Sequence, residues 1–301
     1  MSLLVVGSIA FDSIRTPYGE VVEILGGSAT FFSITASWFT PVSVVAVVGE
    51  DFGDEHFRVF GERSIDTTGV ERLPGRTFRW KGEYKGDMNQ AFTLDTQLNV
   101  FENFVPKIPA AYLGTEFLFL GNIMPTLQLE VRRMFPNLRA SALDTMNLWI
   151  KTMPEDLAKV LATVEILLVN ENEARMLSGQ NNLKKAAQFI QKAGPRVVVI
   201  KRGEHGATLF GPESIFTVPA FPLDSVYDPT GAGDTFAGGF MGHLARTGDL
   251  SDANLRRSAV YGSVMGSFAV EEFGVGRLMR LTPEEIESRF REIKNLTHFD
   301  A

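Results

Sequence analysis

The sequence predicts an α/β fold: a three-layer, doubly wound, mostly parallel sheet carrying a small antiparallel accessory sheet. Three observations predict it. Short β-rich apolar runs alternate with stretches whose apolar residues recur near 3.6 spacing, the pattern of a parallel sheet covered on both faces. At 301 residues the chain is long enough to bury one large core. Two segments, at about 13–25 and 76–102, break the alternation and read as hairpins.

In chain order, the apolar runs at 3–7, 42–48, 117–121, 139–144, 166–169 and 197–200 are the expected parallel strands. Between them, 28–39, 54–64, 127–135, 155–163 and 183–193 are the expected helices, each with an apolar stripe. The first run, Leu3-Leu4-Val5-Val6-Gly7, follows no basic leader and is too short to span a membrane, so it reads as the first buried strand of a cytoplasmic protein. The hairpin at 13–25 turns at Pro17-Tyr18-Gly19-Glu20, and the longer one at 77–101 turns around Lys85-Gly86-Asp87. In the second, Phe78, Trp80 and Phe92 alternate with polar residues, giving one apolar face. Both segments are expected to belong to a single domain of residues 1–301. Ordinary edge hairpins packed on the core fit the pattern equally well.

Composition narrows the chemistry. The chain is 45% hydrophobic and 22% charged with a net charge of -7, which disfavours nonspecific binding to nucleic acid or to a membrane surface. Arg132-Arg133 and Arg256-Arg257 are too short to count as basic tracts. With no cysteine, disulfides, thiolate catalysis and Cys-based zinc sites are excluded. The four histidines, His56, His205, His243 and His298, lack ligand spacing, so no transition-metal site is expected.

The densest chemistry lies in Asp228-Pro229-Thr230-Gly231-Ala232-Gly233-Asp234-Thr235-Phe236 and the Ala237-Gly238-Gly239 that follows. Pro229 biases Asp228 away from helix and Thr230 is the expected N-cap. The N–H groups of Gly231, Ala232, Gly233 and Asp234 would then crown a helix. Free N–H groups at a helix start attract phosphate. A carboxylate at that same end would repel the anion unless its task were to take a proton. Asp234 is therefore the candidate general base beside a transferring phosphoryl group. Two plainer readings stand beside this one. Gly231-x-Gly233 could open a dinucleotide fingerprint, but position 236 is Phe where Gly or Ala should be. A capped glycine turn, with Gly238 and Gly239 allowing close helix packing, explains the same residues without chemistry.

The run from Asp228 to Phe236 resembles the C-terminal motif of the ribokinase-like (PfkB) carbohydrate and nucleoside kinases. The resemblance continues in order through 7–12, Gly26-Gly27, Asn170-x-x-Glu173 and the segment near Gly203. It implies ATP and Mg²⁺ as cofactors, Asp234 as base, and Gly231, Ala232 and Gly233 as the anion-binding turn. It also implies that Asp12 holds sugar hydroxyls while Gly26, Gly27 and Ser28 form the surface against which the acceptor lies. On the residues alone, Asp12 is as readily a turn residue and Ser28 a helix N-cap.

On the nucleotide side the resemblance implies that Asn170 orients phosphate and that Glu173 organises Mg²⁺ through water. Lys201, Gly203 and Gly206 would wall the ATP site. Gly262 and Gly266, on a face of small residues after the Ser251 cap, would line the adenine pocket. A capped helix start at 170–173 and plain tight packing at 262–266 are the alternatives. The two hairpins are implied to close over the acceptor as a lid, to exclude water and to form a homodimer interface. Some relatives use a monovalent cation near the nucleotide loop; its ligands are not identifiable in this sequence.

Two positions depart from the pattern. Phe31 stands where many members carry Asn, and Ser28 where many sugar and sugar-phosphate kinases carry Lys. A phosphorylated acceptor such as fructose 6-phosphate is thereby disfavoured unless Arg76, Arg79 or Lys81 supplies the charge. An aromatic at 31 suits a flat base or a less polar sugar face, or simply the core. The expectation is an ATP-dependent sugar kinase acting on a hydroxymethyl group. The alternative is a nucleoside kinase of adenosine, inosine or cytidine type, its acceptor again a small molecule rather than a nucleic acid or membrane. An idle ligand-binding relative is disfavoured by the intact Asp234, Asn170 and Glu173, and a dehydrogenase by Phe236.

Overall fold

The computed structural model describes residues 1–86 and 88–298. Asp87, in the turn expected at 85–87, lies outside the described residues, as do 299–301. The strands are β1 (Leu3–Val6), β2 (Ala10–Thr16), β3 (Gly19–Gly26), β4 (Val42–Gly49), β5 (Asp66–Leu73), β6 (Phe78–Tyr84), β7 (Ala91–Gln97), β8 (Phe117–Leu120), β9 (Ala140–Asp144), β10 (Ile166–Asn170), β11 (Val197–Lys201), β12 (Ala207–Phe210) and β13 (Ile215–Val218). The helices are α1 (Ser28–Ala36), α2 (Asp54–Glu62), α3 (Pro125–Arg133), α4 (Asn147–Thr152), α5 (Pro154–Leu161), α6 (Glu171–Ser178), α7 (Leu183–Ala193), α8 (Ala232–Thr247), α9 (Asp252–Ala269), α10 (Gly276–Met279) and α11 (Pro283–Thr297).

Nine strands form one sheet in the order β13-β12-β11-β10-β9-β8-β1-β4-β5, parallel from β11 to β5. β12 and β13 add antiparallel at one end. All six expected strands are there. β5 and β13 are additions at the sheet edges, where solvent on one side permits polar residues and blurs the apolar signal, and β12, buried but only four residues long, lies between β13 and β11.

Strand alternation divides the core. Leu3, Val5, Phe117 and Phe119 face α1, α8 and α9, where Phe32 stacks on Phe119 at 4.1 Å. Leu4, Val6, Leu118 and Leu120 face α3, α5 and α7. Each such side chain contributes roughly 1.5–3 kcal/mol on full burial. Both faces are covered, which makes the expected three layers.

The strands of 77–101 stand outside this sheet. They join the first hairpin in a second sheet of order β3-β2-β6-β7. Its two hairpins are antiparallel, and β2 and β6 pair in parallel from Ala10↔Phe78 to Arg15↔Glu83. The reason is topological: β2 leaves the C-terminal end of β1 and β6 that of β5, so both rise from one rim. The single apolar face expected of the second hairpin is not formed, since Phe92 of β7 pairs with Glu83, on the face opposite Trp80 and Tyr84. Trp80 and Tyr84 pack inward, whereas Phe92 and Leu94 on β7 are 46% and 50% exposed. Among the described residues no helix is long and apolar enough to cross a membrane.

Candidate active site

Parallel strands deliver their C-terminal ends to one rim, where open α/β sheets bind ligands. Here β1, β9, β10 and β11 end at Val6, Asp144, Asn170 and Lys201. α8 starts against the same rim, its second residue, Gly233, lying beside the Lys201 ammonium.

The N-cap of α8 is Gly231 in the left-handed region, φ 72°, and not Thr230 as expected. Thr230 is used one step earlier: its N–H donates to Asp228 Oδ1 at 2.9 Å and its hydroxyl to Tyr84 Oη at 3.3 Å. Asp228 Oδ2 also accepts from Gly274 N–H at 3.3 Å, so one buried carboxylate shapes the whole turn. A Cβ on Gly231 would overlap the Phe31 ring, so both backbone and space require glycine. Phe31 is 1% exposed and fills that space; it is core, and offers no face to an acceptor. The expected cradle is also narrower. Ala232 N–H bonds to Pro229 O at 3.1 Å within the turn, while the N–H groups of Gly231, Gly233 and Asp234 have no backbone acceptor among the described residues.

Four charged groups gather at this helix start. Burial pushes Asp234 up to about 7, with Asp144 adding and Lys201 opposing. Burial likewise raises Glu173 to about 7, again with Asp144 adding. Lys201 Nζ lies 3.5 Å from Asp144 Oδ2. Burial works against the Lys201 charge, but Asp144, Glu173 and Asp234 outweigh it and hold the ammonium above the ordinary lysine range. Asp144 is itself pushed up by burial, although Lys201 pulls it back. Three acids thus face one lysine, and full ionisation would leave two negative charges unbalanced in a low-dielectric site.

Asn170 and Glu173 close a capping box on α6. Asn170 Oδ1 accepts Glu173 N–H at 2.9 Å, and Glu173 Oε2 accepts Asn170 N–H at 2.8 Å. The capped helix start weighed for these residues is therefore realised. No set of three or more acidic or histidine side chains is arranged to hold a metal among the described residues. Mg²⁺ does not require one, since it keeps several waters and is commonly bound by one or two carboxylates plus phosphates. The charge deficit beside Glu173 fits such an ion.

On the acceptor side, the pairing of β2 with β3 sets Asp12 against Gly26-Gly27. A Cβ on Gly26 would overlap the Asp12 carboxylate. Burial pushes Asp12 up to about 7; the Gly27 N–H bond lowers it, and Asp228 and Asp234 raise it further. The N-cap of α1 is Gly27 and not Ser28. Ser28 Oγ instead accepts Ser8 N–H, and Ser8 Oγ accepts Ser28 N–H, both at 3.1 Å, which ties the turn after β1 to α1. Arg79 gives no free charge for a phosphorylated acceptor, being bound to Glu23 and Asp51 at 2.8 and 2.9 Å.

The second sheet reaches both halves of the site. Ile14, Tyr84 and Met88 form an apolar cluster with Trp80, Ile24, Val226 and Phe273. Burial raises the Tyr84 phenol, and the charges of Asp228, Asp12 and Asp234 add to this, so its hydroxyl shares the acidic pocket. At the other end, Asn89 lies against Gly203, where a Cβ would overlap its Oδ1.

The remaining glycines have structural neighbours. A Cβ on Gly206 would overlap the Val218 carbonyl, and one on Gly262 would stand 2.9 Å from the Phe236 ring. Gly262 thus lets α9 pack on α8, the packing alternative weighed from its spacing. A Cβ on Gly266 would meet only ordinary contacts, 3.6 Å from the Ala232 carbonyl oxygen and 3.9 Å from Phe236 Cβ. Ser251 is the N-cap of α9, as expected.

Sequence reasoning missed Asp144 and Tyr84. Asp144 carried a signal, an acid at the end of an expected strand. Tyr84 carried none, because its place depends on how the two sheets meet.

A profile described as pfkB family carbohydrate kinase matches residues 1–280. Over 262 residues the chain is 30% identical to a cytidine kinase of Thermococcus kodakarensis, covering 84% of this chain and 91% of that protein. Its fold is similar to that of a Burkholderia thailandensis nucleoside kinase in complex with inosine, TM-score 0.78 at 20% identity, covering 97% and 99% of the two chains. It is also similar to a putative ribokinase II from E. coli in complex with ATP and Mg²⁺, TM-score 0.79 at 19% identity with the same coverage.

Proposed function

The chain belongs to the pfkB carbohydrate kinase family, and from that premise we propose that it transfers the γ-phosphoryl group of ATP to the hydroxymethyl group of a nucleoside. A phosphotransferase acting on a carbohydrate or nucleoside hydroxyl follows from the family and its kinase relatives. One observation favours a nucleoside as the acceptor. The Asp12 carboxylate, suited to vicinal hydroxyls, lies on β2 opposite the half-buried aromatic ring of Trp80 on β6 and near the Tyr84 phenol. A ribose with an attached base uses both surfaces, whereas a free sugar leaves the apolar one idle. The cytidine kinase relative, matched over nearly its whole length, supports the same order. A free sugar is the second reading, supported by Asp12 itself, which needs no base to bind hydroxyls.

In this mechanism Asp12 accepts hydrogen bonds from two neighbouring hydroxyls and orients the hydroxymethyl group toward Asp234. Asp234 accepts the hydroxyl proton as the new O–P bond forms, and the N–H groups of Gly231, Gly233 and Asp234 meet the charge on the phosphoryl oxygens. Glu173 would hold Mg²⁺ through water, an ion that neutralises phosphate charge when bound. Asn170 keeps Glu173 oriented through the capping box. A cytoplasmic location and a homodimer through the second sheet accompany this reading.

An ADP-release assay over nucleosides, pentoses, hexoses, sugar acids and their phosphates tests the proposal. The highest kcat/KM is expected with a nucleoside and little turnover with fructose 6-phosphate. A free sugar preferred at least about tenfold, or ~1.4 kcal/mol in transition-state binding, would move the assignment to the second reading.

A further inference from the structure

We infer that Lys201 is a catalytic cation held in reserve by Asp144: it rests against that carboxylate and turns to the phosphoryl group in flight between nucleotide and acceptor. The inference rests on the phosphotransferase reading above.

Lys201 is the last residue of β11, in register with Asn170 of β10, so the sheet fixes its backbone and leaves only the flexible end of the side chain to move. Its Nζ lies 3.5 Å from Asp144 Oδ2, the separation of a loose pair. The same nitrogen is 2.9 Å from the point where a Cβ on Gly233 would stand. The ammonium thus sits over the start of α8, and the missing side chain at 233 is what makes room for it. Both partners are largely enclosed, the Lys201 and Asp144 side chains being 15% and 10% exposed. A lysine kept in such a place is never without an anionic partner. Exchanging a carboxylate for a phosphoryl oxygen therefore adds little desolvation, because the ammonium stays enclosed and paired in both states.

The transfer gives that exchange its purpose. The acceptor oxygen bonds to the γ-phosphorus, the bond from phosphorus to the bridging oxygen of ADP breaks, ADP leaves with the electron pair, and the hydroxyl proton goes to Asp234. Negative charge spreads over the phosphoryl oxygens and the leaving oxygen while this happens. Lys201 can meet that charge from beside Gly233, opposite in sign to Asp234 and without competing for the proton. Asp144 touches no reacting atom; it is a positioning residue that acts through Lys201.

The test compares wild type, Lys201→Met, Asp144→Asn and the double variant. The double variant removes the Lys201–Asp144 pair as a unit, so it guards against misfolding caused by leaving either partner of that pair alone. Steady-state kinetics is combined with binding of ADP and Mg²⁺, with and without aluminium fluoride as a mimic of the phosphoryl group in flight. Lys201→Met is expected to lower kcat by about 10²–10³-fold while the KM for ATP moves less than about threefold. The tightening of ADP by aluminium fluoride in wild type should be lost in Lys201→Met and in the double variant. Adding Asp144→Asn to Lys201→Met should change kcat by no more than about twofold, since Asp144 acts through Lys201. Equal fluoride tightening in wild type and double variant, or losses from the two single variants that multiply, would overturn the inference. Wild-type protein inactive on every sugar and nucleoside would instead sink the kinase reading and this inference with it. An active wild type beside an equally active Lys201→Met removes only the role of Lys201.

Discussion

At the scale of single residues, ionisation state decides function. Asp234 can take a proton only when charged, and burial has raised it to about 7. The acceptor kcat/KM should therefore climb with pH through about 7, as the carboxylate sheds its own proton. Asp234→Asn should lower kcat by about 10²–10⁴-fold with little change in KM or melting temperature. Retention of a third of wild-type turnover would take Asp234 out of the chemistry. Asp12 shows the opposite side of burial. Its folded-state value, about 7, lies above the ordinary 3.8, so its contribution to stability is intact below about pH 4 and is lost as pH rises through 7. The loss is on the order of 4 kcal/mol. Asn keeps an acceptor for the Gly27 N–H, so Asp12→Asn should melt higher than wild type at pH 8 and equally at pH 4, while the acceptor KM rises. Equal melting at both pH values would show that Asp12 is not held against its charge.

At the scale of elements, the contact of α8 with α9 separates packing from ligand binding. A methyl group on Gly262 would press on the Phe236 ring at 2.9 Å. Gly262→Ala should thus cost about 1–3 kcal/mol in denaturant unfolding, through overpacking, with the KM for ATP nearly unchanged. A raised KM with unchanged stability would instead make Gly262 part of the adenine pocket. The six expected parallel strands were legible because a strand buried on both faces must be apolar throughout. The caps were less so. Thr230 and Ser28 have the chemistry of N-caps, but glycine precedes each helix because the chain arrives in a backbone conformation that favours it, and the two hydroxyls bond to partners from other elements.

For the whole molecule, β7, one of the two outer strands of the second sheet, carries Phe92 and Leu94 half in water beside an edge unpaired among the described residues, an arrangement that invites pairing. Light scattering at micromolar concentration should give a dimer, and Leu94→Lys a monomer; a wild-type monomer would remove the interface. The sequence by itself determined the α/β class, the hairpins outside the main alternation, and the glycine turn that opens α8 with Asp234 in its first turn. These are readable because strand burial, turn chemistry and helix starts depend on residues close together in the chain. Only the tertiary structure decided that Asp144, Glu173, Lys201 and Asp234 face one another, and that Tyr84 reaches Thr230. Those groups are far apart in sequence. What joins them is the parallel order of the strands, which no single segment encodes.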